Sequence, residues 1–87
     1  MTDRAVLEET LLALAAEHGP HGSFSPTDAA IRLGGNHADQ WGPLMQPIRH
    51  VAVALAKSGR LVIYRKGKPA DPDDFKGLYR LGLPRQD

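Results

Sequence analysis

Between residues 55 and 65 the spacing of apolar side chains changes from a helical to a strand-like period. Downstream of the change, Leu61–Arg65 is rich in β-branched and aromatic residues, and Leu78–Leu81 is its expected pairing partner. Ser58 and Gly59 close the helical pattern. Upstream, one apolar stripe recurs every three or four residues, as in an amphipathic helix: Leu44, Ile48, Val51, Ala52 and Leu55. The sequence therefore predicts a long helix followed by two strands.

Two shorter helices are predicted before the long one. Leu7, Leu11 and Leu14 recur at helical spacing, which predicts a helix over about residues 3–17 that ends at the Gly-Pro pair 19–20. The segment Ser25–Asp28 then combines an N-cap serine, a proline at the first helical position and an acid that reaches back to the cap. A short helix of about eight residues follows, up to the glycine pair 34–35.

The start of the long helix contains two prolines, and residues 34–40 before it are predicted to form a loop. A proline deep inside a helix costs about 3 kcal/mol. Pro43 and Pro47 therefore predict a first turn near residues 41–45 and a bend or restart at Pro47. Trp41 either anchors this helix start against the core, which is the favoured interpretation, or contacts a base or a partner's pocket.

The order of elements predicts an α+β fold that is mainly α. Three helices followed by a strand, a long loop over residues 66–77 and a second strand are typical of a winged helix-turn-helix, in which a β-hairpin forms the wing. Residues 23–24 are placed to add a short third strand. We expect one domain over residues 1–87, with an ordered core over about 3–83.

Several short motifs are also characteristic of a known family. They are the Ser-Pro before the short helix, Trp41 with Pro43-Leu44-Met45, Arg49, Gly59-Arg60, and Lys66-Gly67-Lys68-Pro69 with Asp71-Pro72. In these features the chain resembles a small bacterial winged-helix domain family of unknown function, from about residue 5 to residue 83. The resemblance implies a winged-helix fold, and it supplies neither an activity nor functional residues.

The net charge of +1 conceals an uneven distribution. Residues 1–40 carry two basic and six acidic side chains, a balance of −4, whereas residues 41–87 carry nine basic and four acidic ones, a balance of +5. Such asymmetry is typical of a surface that binds a polyanion, although solvated charges that separated by chance explain it equally well.

Cysteine content and hydropathy restrict the setting in which this chain works. There are no cysteines, which excludes disulfides and thiolate metal sites and favours a reducing compartment. The longest apolar runs, 11–16 and 51–56, are far shorter than the roughly 20 residues that cross a bilayer. We expect a cytoplasmic protein with no membrane contact.

The favoured function from sequence is binding of double-stranded DNA, for instance in a regulatory role, with the long helix in the major groove and the basic hairpin on the backbone. Asp71, Asp73 and Asp74 oppose it because they share the loop with the basic residues and repel phosphate. The alternative is a winged-helix module for protein–protein interaction or homodimerisation without nucleic acid. The residues expected to contact DNA are Gln46, Arg49, His50 and Lys57 on the helix, and Arg65, Lys66 and Lys68 in the hairpin.

Catalysis and metal binding find little support in the sequence. No serine lies in a nucleophile motif, and the glycines do not form a phosphate-binding loop. His18 and His21 are separated by a Gly-Pro bend and have no third ligand nearby, whereas a structural zinc site needs four. The sequence therefore predicts no enzyme, no metal and no cofactor.

Overall fold

The chain folds into an α+β arrangement that is mainly helical. The computed structural model describes residues 3–19 and 21–84. Pro20 and the two ends of the predicted 1–87 domain lie outside the described residues. The helices are α1 (Arg4–His18), α2 (Pro26–Gly34), the four-residue α3 (Ala38–Trp41) and α4 (Met45–Lys57). The strands are β1 (Val62–Arg65), β2 (Lys68–Pro69) and β3 (Arg80–Gly82).

The start of α2 confirms the capping motif that the sequence predicts. The Ser25 hydroxyl accepts a hydrogen bond from the Asp28 amide at 3.1 Å, and the Asp28 carboxylate accepts one from the Ser25 amide at 3.1 Å. Pro26 occupies the first turn, where its missing N–H leaves no hydrogen bond unmade. Phe24, directly before the cap, is fully buried in the core. This helix start is therefore stabilised both by the capping hydrogen bonds and by the burial of the neighbouring Phe24 side chain.

The start of α4 differs from the prediction of a bend at Pro47. A 3-10 turn over Gly42–Leu44 leads directly into α4, which begins at Met45. Pro47 is thus the third residue of the helix, where the backbone N–H has no intrahelical acceptor, so a proline is tolerated. The break in the helix lies before Met45. Part of the predicted loop 34–40 also forms α3.

The sheet is antiparallel, with strand order β2-β1-β3. The predicted pairing of the two longer strands is confirmed, with Ile63 opposite Leu81. Phe24 forms an isolated bridge to Leu81, as the third-strand prediction requires. The prediction of one long hairpin loop over residues 66–77 is wrong in detail, because β1 first pairs with β2 across the two-residue turn Lys66–Gly67. Both turn residues have positive φ, 54° and 81°, as a type I′ turn requires.

One apolar core lies between α1, α2, α4 and the sheet. The predicted α4 stripe is confirmed from Ile48 to Leu55, while Leu44 is only partly buried. Trp41 is also partly buried and packs against this core, in agreement with its favoured structural interpretation. Phe75 joins the same cluster from the segment between β2 and β3. That segment therefore packs against the body of the domain instead of extending from it.

Candidate interaction surface

The segment between β2 and β3, residues 70–79, is called the return loop here, and it is anchored to α4 through Arg49. The guanidinium of Arg49 lies 4.1 Å from the centroid of the Phe75 ring, and its Nη2 donates a hydrogen bond to the Phe75 carbonyl at 3.0 Å. The Tyr79 ring meets the Phe75 ring edge-on, with centroids 5.0 Å apart. Phe75 itself is only 7% exposed. These contacts hold the return loop over one side of α4.

This geometry gives Arg49 a structural contact that the sequence did not predict. A side chain that contacts base edges in a groove needs free donors that point into solvent. Arg49 is half-buried, and its guanidinium is occupied by an aromatic face and a backbone carbonyl of the chain itself. The helical position was inferred correctly, but a part of the chain distant in sequence covers it. Arg49 therefore contacts the return loop, and its expected contact with DNA stays a prediction.

Lys57, the second cation expected to contact DNA from α4, is paired with a carboxylate. Its Nζ forms an ion pair with Asp73, and both side chains are more than half exposed. Asp71 holds the turn that presents Asp73, because its carboxylate accepts a hydrogen bond from the Asp73 amide at 2.9 Å. A negatively charged turn therefore lies beside the last turn of α4, where a phosphate would be repelled.

The remaining predicted residues fall into two groups. Gln46 and His50 on α4, and Lys66 and Lys68 at the hairpin, are exposed as expected. None of the four pairs with a carboxylate among residues 3–19 and 21–84. Arg65 is half-buried instead, and its guanidinium donates a hydrogen bond to the Leu78 carbonyl. Three of the seven residues thus contact a carbonyl or a carboxylate of the chain itself, four are exposed, and their contact with DNA stays a prediction.

A groove that the sequence did not predict opens on the hairpin side of the molecule. It has a volume of about 660 Å³ and lies between the starts of α2 and α4, the hairpin turn and the residues before β3. Its apolar lining residues are Pro26, Met45, Tyr64, Leu78 and Tyr79. Its charged lining residues are all cations: Arg65, Lys66 and Arg80. The groove therefore combines an apolar floor with a positive potential.

Leu78 stands at the rim of this groove with 91% of its surface exposed. Among the described residues, the other exposed large hydrophobic side chain is Val6, at 42%. The Leu78 carbonyl accepts a hydrogen bond from Arg65, and the residue before it, Gly77, has a φ of 80°. A Cβ at Gly77 would also approach Arg65 Nη1 to 3.2 Å. The side chain of Leu78 thus projects into solvent next to a carbonyl that Arg65 contacts.

A sequence signal for this exposure existed. In an extended segment, alternate side chains point to opposite faces, so Leu78 falls on the same side as Arg80 and opposite to Leu81. Leu81 is fully buried and Arg80 is exposed, as that alternation requires. Arg80 is fixed in turn, because its guanidinium donates to the Ser23 hydroxyl at 2.8 Å and to the Ser23 carbonyl at 2.9 Å. Only the groove itself, assembled from distant segments, had no local signal.

Tyr79 lines the groove with a partly buried phenol. Burial raises the pKa of the Tyr79 hydroxyl, and the nearby charge of Arg49 partly opposes this rise. The phenol therefore stays protonated near neutral pH. Across the described ranges 3–19 and 21–84, no three histidine, aspartate or glutamate side chains are grouped as metal ligands would be. Within the same ranges, every helix is too short or too polar to cross a membrane.

The comparisons with known proteins give a family and no function. A search of curated proteins returns no match. One family, described as a protein of unknown function (DUF3253), matches residues 4–84, which is almost the whole chain. The sequence resemblance to a family without an assigned activity is confirmed at this level. This chain belongs to the DUF3253 family.

Proposed function

We propose that this chain is a winged-helix domain that binds another protein through the groove beside its hairpin. The order of elements supports the winged-helix part of the proposal. Helices α1 and α2 precede and follow Phe24 in the sequence, α4 comes next, and β1 then pairs with β3. Leu81 of β3 also forms a bridge to Phe24. This is the order of a helix-turn-helix elaborated by a β-hairpin.

The observation that carries the interaction function is the exposure of Leu78. Burying a leucine side chain contributes about 1.5–3 kcal/mol relative to leaving it in water. Anchor residues of protein interfaces are apolar side chains that fill or border a pocket, and those on a fixed backbone lose little entropy on binding. Leu78 borders an apolar groove, and the hydrogen bond from Arg65 to its carbonyl restrains its backbone.

The alternative surface, the outer side of α4, is less suited to a partner. The return loop occupies part of it through Arg49 and Phe75. The carboxylate of Asp73 neutralises Lys57 at its C-terminal end. For DNA, this leaves few cations on the helix that would enter the major groove, which is why the protein-interaction function is preferred over the DNA-binding one.

Photo-crosslinking tests the proposal directly. A benzophenone amino acid placed at position 78 is irradiated in a lysate of the host cell, and the same probe at position 6 serves as the control because Val6 is the other exposed large hydrophobic residue. We expect a discrete crosslinked protein when the probe is at position 78, and no such product when it is at position 6. An excess of unlabelled wild-type protein should abolish this product, whereas an excess of the Leu78→Asp variant should not. Identical crosslinks from both positions, or none from position 78, would contradict the proposal.

Duplex DNA remains the second candidate, and exposed side chains near the hairpin favour it. Lys66 and Lys68 lie at the hairpin turn and point into solvent, and Gln46 is exposed at the start of α4. Phosphate contacts of this kind give salt-dependent affinity with little sequence preference.

A labelled random duplex, titrated at low and at moderate salt, tests this candidate. If it is correct, Lys66→Ala combined with Lys68→Ala should weaken binding and lower the salt slope by about one for each lysine removed. Arg4→Ala is the matched control, because Arg4 is an exposed cation at the start of α1. Absence of binding at low salt would exclude it.

A further inference from the structure

We propose that the partner segment bound by the groove is acidic and carries a protruding apolar side chain. This inference rests on the proposed protein-binding function and specifies the chemistry of the partner. It follows from two independent properties of the groove, its shape and the sign of its charges.

The shape of the groove fits a side chain that projects from a partner. Its volume of about 660 Å³ lies within the range of pockets that enclose a small ligand. Pro26, Met45 and Leu78 give the groove an apolar part, beside the hydroxyl-bearing side chains that also line it. A leucine, isoleucine or phenylalanine side chain of the partner therefore gains most by entering the groove, with its neighbours packing on Leu78.

The charges around the groove select the residues that flank this side chain. Three cations, Arg65, Lys66 and Arg80, line the groove. The hydrogen bonds of Arg65 and Arg80 go to uncharged acceptors, so they do not neutralise the positive charge of these side chains. The aspartates of the return loop do not line the groove. The start of α2 also lies at its edge, but the amides of Ser25 and Asp28 are already engaged by the capping hydrogen bonds, so the three cations alone carry the preference for negative charge. Carboxylates beside the apolar side chain are attracted here, whereas lysine or arginine residues are repelled.

Duplex DNA fits this groove poorly, although its charge has the right sign. The phosphates of a duplex lie on a convex polar surface, and its bases are stacked inside. A concave floor of Pro26 and Met45 beside a projecting Leu78 complements neither. An acidic peptide segment satisfies both the apolar and the cationic part of the groove.

A peptide selection tests the inference without knowledge of the natural partner. A phage-displayed library of random 12-residue peptides is selected on the full-length protein, with Leu78→Asp used for counter-selection. Leu78 is 91% exposed, so the variant keeps the fold, which circular dichroism verifies. We expect the selected peptides to be enriched in aspartate and glutamate on both sides of a leucine, isoleucine or phenylalanine.

Titration of the strongest peptide, labelled with fluorescein and followed by anisotropy, then assigns the groove residues. Leu78→Ala should weaken binding about tenfold, since an apolar anchor at an interface is worth more than 1 kcal/mol. Lys66→Glu should weaken it about fivefold at low salt and less at high salt. Arg60→Glu is the matched control, because Arg60 is an exposed cation before β1, at the opposite end of that strand from the hairpin turn, and should change binding less than twofold.

Each contrary outcome has a defined meaning. Peptides that require Leu78 but are neutral or basic would overturn the acidic partner and leave the proposed function standing. A selection without Leu78-dependent peptides would overturn both. Light scattering also detects self-association: a concentration-dependent dimer that Leu78→Asp abolishes would assign the groove to a second copy of the chain. Competition by random duplex DNA at low salt would assign the groove to nucleic acid. Either result overturns the inference that the partner is an acidic protein segment.

Discussion

The outer side of α4 and the groove beside the hairpin both carry cations, but the chain covers the first and leaves the second open. On α4, Arg49 is packed against Phe75 and Lys57 is paired with Asp73. At the groove, Lys66 is exposed and Leu78 projects into solvent. The difference shows that residue type and helical position do not decide whether a cation is engaged by the chain itself. For Arg49 and Lys57, the path of the return loop decides it.

The largest expected effect comes from removing the side chain that anchors this loop. Phe75→Ala deletes a buried ring, and such changes cost about 3–5 kcal/mol; we expect the lower end because the site is at the edge of the core. Urea denaturation followed by circular dichroism measures the loss. Leu78→Ala, at an exposed position three residues away, should change stability by less than about 0.5 kcal/mol.

A loss below about 1 kcal/mol for Phe75→Ala would show that the return loop is not fixed by its aromatic residue, and the contrast between covered and open surfaces would then fail. Should the alanine variant unfold completely, Phe75→Leu provides a milder change in the same direction, with part of the apolar contact retained.

The next effect concerns Arg49, whose two interpretations predict different measurements. As a residue that fixes the loop, it contributes one part-buried hydrogen bond and two cation–π contacts, to Phe75 and Tyr79, so Arg49→Ala should lower the free energy of unfolding by about 1–2 kcal/mol. Arg60→Ala, at an exposed arginine, is the control and should have little effect. Unchanged stability in Arg49→Ala, together with a loss of DNA binding, would favour the interpretation that Arg49 contacts base edges in the major groove of DNA.

The Lys57–Asp73 pair should matter less. Both side chains are more than half exposed, and exposed ion pairs contribute about 0–1 kcal/mol. A double-mutant cycle of Lys57→Ala and Asp73→Ala should therefore give a coupling of at most about 0.5 kcal/mol, which shrinks as salt is added. A larger coupling that resists salt would mean that this end of the return loop is held as firmly as the Phe75 end.

The smallest effect appears only in alkaline solution and involves Tyr79, which borders both surfaces. Burial raises the pKa of its hydroxyl, so the folded state favours the neutral phenol. This contribution is complete below the unfolded pKa of about 10 and is lost as the pH rises through the higher folded value. Above pH 10 the stability of the wild type should fall more steeply than that of Tyr79→Phe. Parallel stability profiles of the two proteins would contradict the assignment.

The parts of the fold that sequence predicted are those fixed by neighbouring residues. The capping box of Ser25 and Asp28 lies within one turn of helix, and its geometry follows from the motif. The β1–β3 pairing and the Phe24 bridge follow from strand alternation and the order of elements. β2 was missed because it is two residues long and contains a proline.

The surface was harder to predict because its properties depend on contacts between distant residues. Helical spacing indicated correctly that Gln46 and His50 face outward. It placed Arg49 outward as well, but Arg49 contacts Phe75, 26 positions further along the chain, and no local pattern encodes that contact. A lone phenylalanine among aspartates and glycines was the available hint. The groove draws on four separate segments and had no such hint.

The bridge between Phe24 and Leu81 also affects when this domain can fold during its synthesis. It joins segments that lie 57 positions apart in the 87-residue sequence, with reciprocal backbone hydrogen bonds of 2.9 and 2.8 Å. Contacts between residues so distant in sequence slow the folding reaction. A ribosome-bound chain whose synthesis has not passed β3 therefore has the sequence of every helix but lacks the strand that pairs with β1 and Phe24. We expect the newly made polypeptide to reach its native state in one cooperative step, after residue 81 has emerged from the exit tunnel.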